Sequence, residues 1–306
     1  MGKALVVALV TCAAMLMVSD GRSNQIPESL TQTQEPGVEH AELDPGPLKK
    51  GRLELKSSSV LVIDEARGRV LYSKNPKKVV PIASITKLMT AIVVLDAALP
   101  MDQPIAIDRA DLDGIRHTGS RLRVSLGFTR RDLLWVALMA SENRAAAALA
   151  RTYPGGAGAC VAAMNRKASA LGMFHTRFAD ATGLSGENVS TAEDLSHLVR
   201  EAYRYTAIRE ATTSQAHYVT LSDGRVLQYV NSNGLVKNKA WTIGLSKTGY
   251  IEEAGQCLVM RARIAARPVI IVLLDSWGKY TRLGDANRIR HWMEAGLATP
   301  HATGHP

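Results

Sequence analysis

The chain has 306 residues, 46% of them hydrophobic, which is enough for one large domain or two small ones with a substantial buried core. Its formal net charge of +9 at pH 7 indicates attraction to an anionic partner. The basic residues are spread along the chain without a nucleic-acid-binding motif, so we expect no nucleic acid and favour a carboxylate-rich polymer or a membrane surface.

The N-terminus has the pattern of an export signal. Lys3 supplies a positive charge, residues 4–18 form an apolar run, and residues 19–21 end it. Because a membrane span needs about 20 residues, this short run favours a cleaved signal over residues 1–21, with an uncleaved anchor as the alternative. Residues 22–52 lack apolar periodicity and predict a disordered spacer, and the tail 299–306 is also predicted to be disordered.

The hydrophobic periodicity then predicts a hairpin, a block of helices and a set of strands. The hairpin pairs residues 58–64 with 69–73. The predicted helices are 84–99, 131–141, 144–151 with Asn143 as its cap, 158–171, and one from the capping box Ser190-Thr191-Ala192-Glu193 to about Tyr205. The predicted strands are 217–221, 226–230, 242–247, 256–264 and 269–274, and a last helix over 281–297 carries Ile289, Trp292, Met293 and Leu297 on one side.

These elements predict one α/β domain over residues 53–298. Strands come from both ends of this region, and a helical lobe over about 76–214 is inserted between them. Because helices must cover the apolar faces of a sheet, we expect a two-lobed architecture in which both chain ends share one sheet.

The helix predicted at 84–99 begins with Ser84-Ile85-Thr86-Lys87. Residues three apart on a helix share a face, so the hydroxyl of Ser84 and the amine of Lys87 can meet. An unprotonated lysine can take a hydroxyl proton, which makes the pair a candidate nucleophile and base, although in isolation the pair reads as a helix cap and a surface lysine. The same spacing recurs at Ser276 and Lys279, but Gly278 lies inside that copy and disfavours a helix.

Two further polar motifs follow in order. Ser141-Glu142-Asn143 lies at the junction of two predicted helices, and Lys247-Thr248-Gly249 follows a predicted strand ending at Ser246. Each motif is commonplace alone, but the three in this order indicate a serine acyl-transfer site whose base is a lysine. A Ser-His-Asp triad is disfavoured, because no G-x-S-x-G elbow is present.

With the flanking residues Pro81-Ile82-Ala83 and Arg144-Ala145-Ala146, the three motifs resemble the penicillin-binding protein and serine β-lactamase superfamily. Over about residues 53–298 the chain is most similar to the low-molecular-mass penicillin-binding proteins, which are serine-type D-alanyl-D-alanine peptidases, and among them to the endopeptidase type. The resemblance implies a β-lactamase/transpeptidase-like fold with an antiparallel sheet of about five strands and a cleft between sheet and helical lobe. The E-x-x-L-N loop of class A β-lactamases is absent between Asn143 and Lys247, so rapid β-lactam turnover is not expected.

The resemblance assigns four catalytic residues. Ser84 is the expected nucleophile and Lys87 its base, with a pKa lowered by a partly desolvated cleft and by the like charge of Lys247. Ser141 is expected to relay a proton to the leaving amine. Asn143 is expected to hydrogen-bond the substrate backbone and to position Lys87.

Four more residues are expected to bind substrate. Lys247 would place positive charge near the second serine, Thr248 would bind a substrate carboxylate, and Gly249 would let the substrate backbone approach the strand edge. The amide of Tyr250, together with that of Ser84, is the expected oxyanion hole. The segment 180–185 is expected to shape specificity rather than perform chemistry.

The resemblance implies a serine D,D-peptidase that cleaves D-alanyl bonds of peptidoglycan cross-links through an acyl-enzyme at Ser84. A D-alanyl-D-alanine carboxypeptidase and a penicillin-binding sensor without turnover are the alternatives. The endopeptidase is favoured because the catalytic domain ends near residue 298, without the β-rich domain and amphipathic anchor of many carboxypeptidases. We expect peptidoglycan peptides and β-lactams as partners, a periplasmic location, and loose association with membrane or wall.

No cofactor or metal is expected, since the chain has no H-E-x-x-H pattern. Once the signal is removed, the remaining cysteines are Cys160 and Cys257, both in apolar surroundings. Separate buried thiols are therefore favoured over a disulfide.

Overall fold

The computed structural model describes residues 53–221 and 224–298. The predicted signal, the spacer and the tail lie outside the described residues. The strands are β1 Ser59–Asp64, β2 Arg69–Lys74, β3 Val80–Pro81, β4 Pro104–Ala106, β5 Gly127–Thr129, β6 Val189–Ser190, β7 Ala216–Thr220, β8 Val226–Val230, β9 Thr242–Ile251, β10 Gly255–Ile264 and β11 Arg267–Ser276. The helices are α1 Thr86–Asp96, α2 Arg130–Met139, α3 Asn143–Arg151, α4 Gly156–Ala170, α5 Ala192–Tyr203, α6 Thr206–Thr213 and α7 Thr281–Ala298, and 3-10 turns cover Ala83–Ile85, Arg109–Asp111 and Gly234–Lys237.

One antiparallel sheet of five strands organises the domain, in the order β2-β1-β11-β10-β9. Its first two strands come from the N-terminal hairpin and its last three from the C-terminal region, so the prediction that both ends share one sheet is confirmed. Strand β9 lies at one edge, and the 3-10 turn at Ala83–Ile85 packs against it. This contact sets the cleft between sheet and helices.

Both faces of the sheet are buried, because alternate residues of each central strand enter different cores. Leu61 and Ile63 of β1 pack in the larger core with the helical lobe, whereas Val60 and Val62 pack under α7. Helix α7 contributes Ile289 and Met293 to the smaller core and packs Trp292 against it. The predicted apolar side of the last helix is confirmed for these three residues, and the side chain of Leu297 lies outside the described part.

Two of the predicted C-terminal strands do not join this sheet. Strands β7 and β8 form a separate hairpin that contacts α2. Each strand buries a single hydrophobic residue, Val219 and Tyr229 respectively, so the hairpin can cover a helix but cannot serve as a sheet interior. Helix α6 was not predicted.

The boundaries of several elements differ from the prediction. Strand β9 continues through the third motif to Ile251, because its pairing with β10 extends to Gly255. The cap of α5 is Thr191, whose side chain accepts a hydrogen bond from the amide of Asp194, rather than the preceding Ser190.

The two cysteines stay separate. Cys160 and Cys257 are both buried and unpaired, which confirms the prediction of separate thiols. Burial raises the pKa of the Cys160 thiol to about 12 and that of the Cys257 thiol to about 11. Among the residues described, no helix has both the length and the apolar character to cross a bilayer.

Candidate active site

A sharp backbone turn presents Ser84. Ala83 has a φ of +49°, a left-handed conformation that non-glycine residues rarely adopt. The turn is held by the hydroxyl of Thr86, which donates to the Ala83 carbonyl at 2.7 Å. Ser84 therefore lies in a 3-10 turn ahead of α1 rather than opening that helix, and its side chain caps no helix. Nine of the eleven α1 residues are buried, which fixes the turn rigidly.

Lys87 connects three parts of the site. Its Nζ donates to Ser84 Oγ at 2.8 Å, to Asn143 Oδ1 at 2.7 Å and to the carbonyl of Thr182 at 2.5 Å. A lysine ammonium has three donors, so every one of them can be used here. The side chain is only 1% exposed, and these acceptors hold its amine beside Ser84 Oγ.

Burial lowers the pKa of Lys87 to about 7. The carboxylates of Asp180, Glu142 and Asp113 act in the opposite direction and raise it. The predicted direction of the shift agrees with the structure, but its main cause is loss of hydration and not the like charge of Lys247. A lysine with this pKa is partly neutral at pH 7 and can accept a proton.

A second lysine and serine pair stands opposite. Lys247 Nζ donates to Ser141 Oγ at 2.9 Å and to the carbonyl of Thr248 at 2.9 Å. Ser141 has a φ of +62°, which turns it out of the α2–α3 junction. Burial lowers the pKa of Lys247, and the positive charges of Lys87 and Arg282 lower it further.

Asn143 lies between the two pairs. It is the first residue of α3, and the cap is Glu142, whose carboxylate accepts from the amide of Arg144 at 3.4 Å. The prediction that Asn143 caps this helix is wrong, because Asn143 is already its first helical residue and its side chain bonds to Lys87 and Thr118 instead. Its Oδ1 accepts from Lys87 and its Nδ2 donates to Thr118 Oγ1 at 3.0 Å.

The third motif lies inside the edge strand β9. A Cβ at Gly249 would stand 2.8 Å from the Ile82 carbonyl oxygen and 3.2 Å from the Ser84 amide nitrogen. The glycine is therefore needed for close packing against the turn that carries Ser84, and the approach of substrate backbone at this position stays a prediction. Thr248 Oγ1 is hydrogen-bonded to Ser232 Oγ at 2.7 Å, so its hydroxyl is also oriented.

The loop at 180–185 has a direct role that sequence reasoning missed. The Asp180 carboxylate accepts hydrogen bonds from three amides of its own loop, those of Thr182, Gly183 and Ser185, at 2.5 to 2.9 Å. It thereby fixes the loop that places the Thr182 carbonyl on Lys87. The Asp-x-Thr-Gly pattern, typical of a side-chain-stabilised turn, is the signal that could have identified this support.

Gly183 should be intolerant of any side chain. Its φ is +82°, and a Cβ would stand 2.1 Å from the Ala83 carbonyl oxygen, so the backbone next to Ser84 would have to move. We expect Gly183→Ala to lower unfolding stability by more than about 2 kcal/mol and to slow penicillin acylation strongly. Thermal denaturation and labelling by a fluorescent penicillin measure the two effects.

Gly68→Ala is a matched control, because Gly68 has a φ of +61° and open space around its Cβ position. It shares the left-handed strain without the clash, so it should cost about 1 kcal/mol and leave acylation intact. Equal behaviour of the two variants would contradict this account.

These residues surround a cleft of about 450 Å³. Six of the eight predicted site residues line this cleft: Ser84, Ser141, Asn143, Thr248, Gly249 and Tyr250. The other two, Lys87 and Lys247, are each 1% exposed and lie beneath its surface. The structure thus brings all eight together.

Two arginines lining the cleft were not identified from the sequence. Arg282 donates to the Gly249 carbonyl at 3.0 Å and to the side chain of Gln256, and no described carboxylate lies within ion-pair distance of it. Arg116 donates to the Leu184 carbonyl at 2.7 Å and pairs with Glu253 at 2.6 Å. Neither belongs to a motif, so only the tertiary structure could place them.

Comparison with known proteins gives consistent matches. The sequence model described as D-alanyl-D-alanine carboxypeptidase matches residues 47–278. A D-alanyl-D-alanine endopeptidase of Pseudomonas aeruginosa is 51% identical over 247 residues, covering 80% of each chain. One from Escherichia coli K12 is 46% identical over 248 residues, covering 81% of this chain and 80% of that protein. The crystal structure of the Streptomyces K15 DD-transpeptidase matches with a TM-score of 0.73 at 27% identity, over 82% of this chain and 100% of that chain, which confirms the predicted fold class.

Proposed function

The chain belongs to the D-alanyl-D-alanine carboxypeptidase family, and we propose that it hydrolyses the D-alanyl bonds of peptidoglycan cross-links through an acyl-enzyme on Ser84. The observation that carries the proposal is a pair of hydrogen bonds from Lys87 Nζ, to Ser84 Oγ at 2.8 Å and to Asn143 Oδ1 at 2.7 Å. A second pair stands at the same cleft, where Lys247 Nζ, beneath the surface, donates to Ser141 Oγ at 2.9 Å. The enzyme is thus a serine peptidase that uses lysine as its base.

The first half of the reaction forms the acyl-enzyme. Neutral Lys87 takes the proton of Ser84 as Oγ attacks the D-alanyl carbonyl carbon. The amides of Ser84 and Tyr250 are the proposed donors to the negative oxygen. The close approach of Gly249 to the Ser84 turn, where an added Cβ would stand 3.2 Å from the Ser84 amide nitrogen, supports this proposal. As the C–N bond breaks, Ser141 gives its proton to the leaving amine and regains one from Lys247.

The second half releases the product. A water molecule gives a proton through Ser141 to Lys247, which acylation has left neutral, as its oxygen attacks the ester carbonyl carbon. Ser84 Oγ then leaves and takes back the proton held by Lys87, and the product acid releases a proton to solvent as its carboxylate forms. No external oxidant or cofactor is needed for this hydrolysis. The two lysine–serine pairs therefore act on opposite sides of the scissile bond.

The substrate carboxylate has a suitable site at the other end of the cleft. Thr248 offers a hydroxyl already oriented by Ser232, and Arg282 offers a positive charge with no described acidic partner. A guanidinium recognises a carboxylate through paired hydrogen bonds. The residue that leaves as the amine is thus expected to place its carboxylate near Thr248 and Arg282.

The location and partners extend the same proposal. The apolar run at residues 4–18 and the charge of +9 favour an exported protein of the periplasm that attracts carboxylate-rich wall peptides. Loose association with the wall or membrane surface would follow from that charge. β-Lactams, which carry a reactive carbonyl and a carboxylate, are expected to acylate Ser84.

Endopeptidase activity is expected to exceed carboxypeptidase activity. The relatives at 51% and 46% identity are both named endopeptidases, although the family as a whole is described as carboxypeptidases. Purified protein should therefore cleave cross-linked muropeptide dimers faster than it removes terminal D-alanine from monomeric pentapeptides. Chromatography of the products measures both rates, and conversion of pentapeptide with dimers left intact would make the enzyme a carboxypeptidase. Penicillin labelling without any peptide turnover would indicate a sensor.

A further inference from the structure

A second groove, of about 510 Å³, opens beside the catalytic cleft. Its lining residues are Gly119, Ser120, Arg121, Ala140, Glu142, Tyr229 and Val230. Apart from Glu142, which caps α3 and whose charge raises the pKa of Lys87, none of these residues belongs to the three motifs. Because the groove contains both a cation and a carboxylate, it can accept a ligand that carries both kinds of charge.

The groove and the cleft share two walls. In the first wall, Thr118 lines the cleft and the next residue, Gly119, lines the groove. In the second wall, Ser141 and Asn143 line the cleft, and Glu142 between them lines the groove. One residue of extended chain spans about 3.5 Å, so a peptide that passes Ser141 reaches the groove within one or two residues. Ser141 is the proposed proton donor to the leaving amine, which makes this the side on which the leaving group departs.

Tyr229 supplies an unused hydrogen-bonding group. Its side chain is 2% exposed, and its hydroxyl has no hydrogen-bond partner among the described residues. A buried hydroxyl without a partner is unfavourable, and a ligand in the groove could supply the missing acceptor. Burial raises the pKa of Tyr229 to about 12, so the hydroxyl stays a donor at neutral pH.

Arg121 adds a positive charge at the same place. Its guanidinium lies 4.1 Å from the centre of the Tyr229 ring and donates through Nη1 to the Gln228 carbonyl at 2.7 Å. The side chain is exposed and has further donors for an incoming carboxylate. Ala140 and Val230 provide apolar surface for an aliphatic chain between the charged ends.

We propose that this groove binds the amine-bearing peptide of the cross-link, the half that departs when Ser84 is acylated. The carboxylate next to the leaving amine stays at Thr248 and Arg282, and a second carboxylate farther along that peptide is held in the groove by Arg121 and Tyr229. A terminal D-alanine is too small to reach the groove, so occupancy distinguishes a cross-link from a pentapeptide end. The inference rests on the proposed endopeptidase function. It assigns to this groove the preference for cross-links over pentapeptide ends.

The test compares the full-length protein with Tyr229→Phe and Arg121→Ala on two substrates, cross-linked muropeptide dimers and monomeric pentapeptides. The measured quantity is the ratio of kcat/KM for the dimer to kcat/KM for the pentapeptide. We expect that ratio to fall at least threefold in Tyr229→Phe and roughly tenfold in Arg121→Ala, mainly through a higher KM for the dimer. Tyr229→Phe should not lower the melting temperature, since it removes only an unpartnered hydroxyl.

Arg123→Ala is the matched control, because Arg123 is exposed on the same loop and does not line the groove. It removes the same charge and should leave the ratio unchanged. An unchanged ratio in both groove variants would overturn this inference while leaving the proposed function in place. Failure of the wild-type protein to cleave dimers would overturn the proposed function, and this inference with it.

Discussion

Replacement of Ser84 by alanine is expected to abolish covalent labelling by penicillin and to reduce peptide hydrolysis roughly 10⁴-fold or more. The hydroxyl is the only atom group removed, and without it no acyl-enzyme can form. Ser84 caps no helix, so the folding cost is limited to one lost hydrogen bond with Lys87, about 1 kcal/mol. Gel fluorescence with a labelled penicillin, together with thermal denaturation, measures both outcomes.

The second copy of the motif spacing provides the control for this variant. Ser276 is fully buried, and its hydroxyl is hydrogen-bonded to Ser57 Oγ at 2.6 Å. Gly278 has a φ of +90°, which is not helical, so Ser276 and Lys279 do not share the face of a helix. Ser276→Ala should therefore retain labelling. Labelling that persists in Ser84→Ala would move the nucleophile elsewhere and refute the assignment.

Acylation is expected to fall about tenfold for each pH unit below 7, because the reactive form of Lys87 is the neutral amine and its pKa is lowered to about 7. At pH 5 only about one hundredth of the enzyme would then carry the neutral base. The apparent value belongs to the coupled site, since Lys247 lies in the same cleft. The measurement is the second-order rate of penicillin acylation between pH 5 and 9 at constant ionic strength.

The variant Lys87→Met tests the assignment of Lys87 as the base by removing its amine. Acylation of this variant should be slower by several orders of magnitude at every pH. If Lys87 served only to stabilise the fold, the folded variant would retain activity. A wild-type rate that stays flat from pH 5 to 9 would contradict the proposed base. Lys279→Met serves as a control, because Lys279 belongs to the second copy of the spacing and does not line the cleft.

The lowered pKa of Lys87 also affects the free energy of unfolding. In the unfolded chain Lys87 binds a proton up to its ordinary pKa of 10.5, whereas in the folded protein it does so only up to about 7. Between these values the unfolded state binds more protons, so this group makes unfolding stability rise with pH. Below pH 7 it opposes folding by roughly 5 kcal/mol, which the packing of α1 and the surrounding hydrogen bonds offset.

The three motifs, their order and most of the helices and strands that carry them can be predicted from the amino-acid sequence. These follow from short-range rules: hydrophobic periodicity fixes helix and strand type, and a spacing of three residues brings Ser84 and Lys87 together on one turn. The separate thiols of Cys160 and Cys257 followed in the same way from their apolar surroundings. Even so, the boundary of β9 was misplaced, because strand pairing with β10 continued where the local composition changed.

The assembly of the site depends on contacts between residues that are far apart in the sequence. Lys87 meets Asn143 and the Thr182 carbonyl across 56 and 95 residues of sequence, and Lys247 meets Ser141 across 106. No local pattern encodes such contacts, since they depend on how the helical lobe packs on the edge of the sheet. The left-handed backbone at Ala83 and Ser141, unusual for these residue types, is likewise imposed by the surrounding packing. The pKa of Lys87 belongs to the same class of property, because hydration is lost only when every neighbouring element is in place.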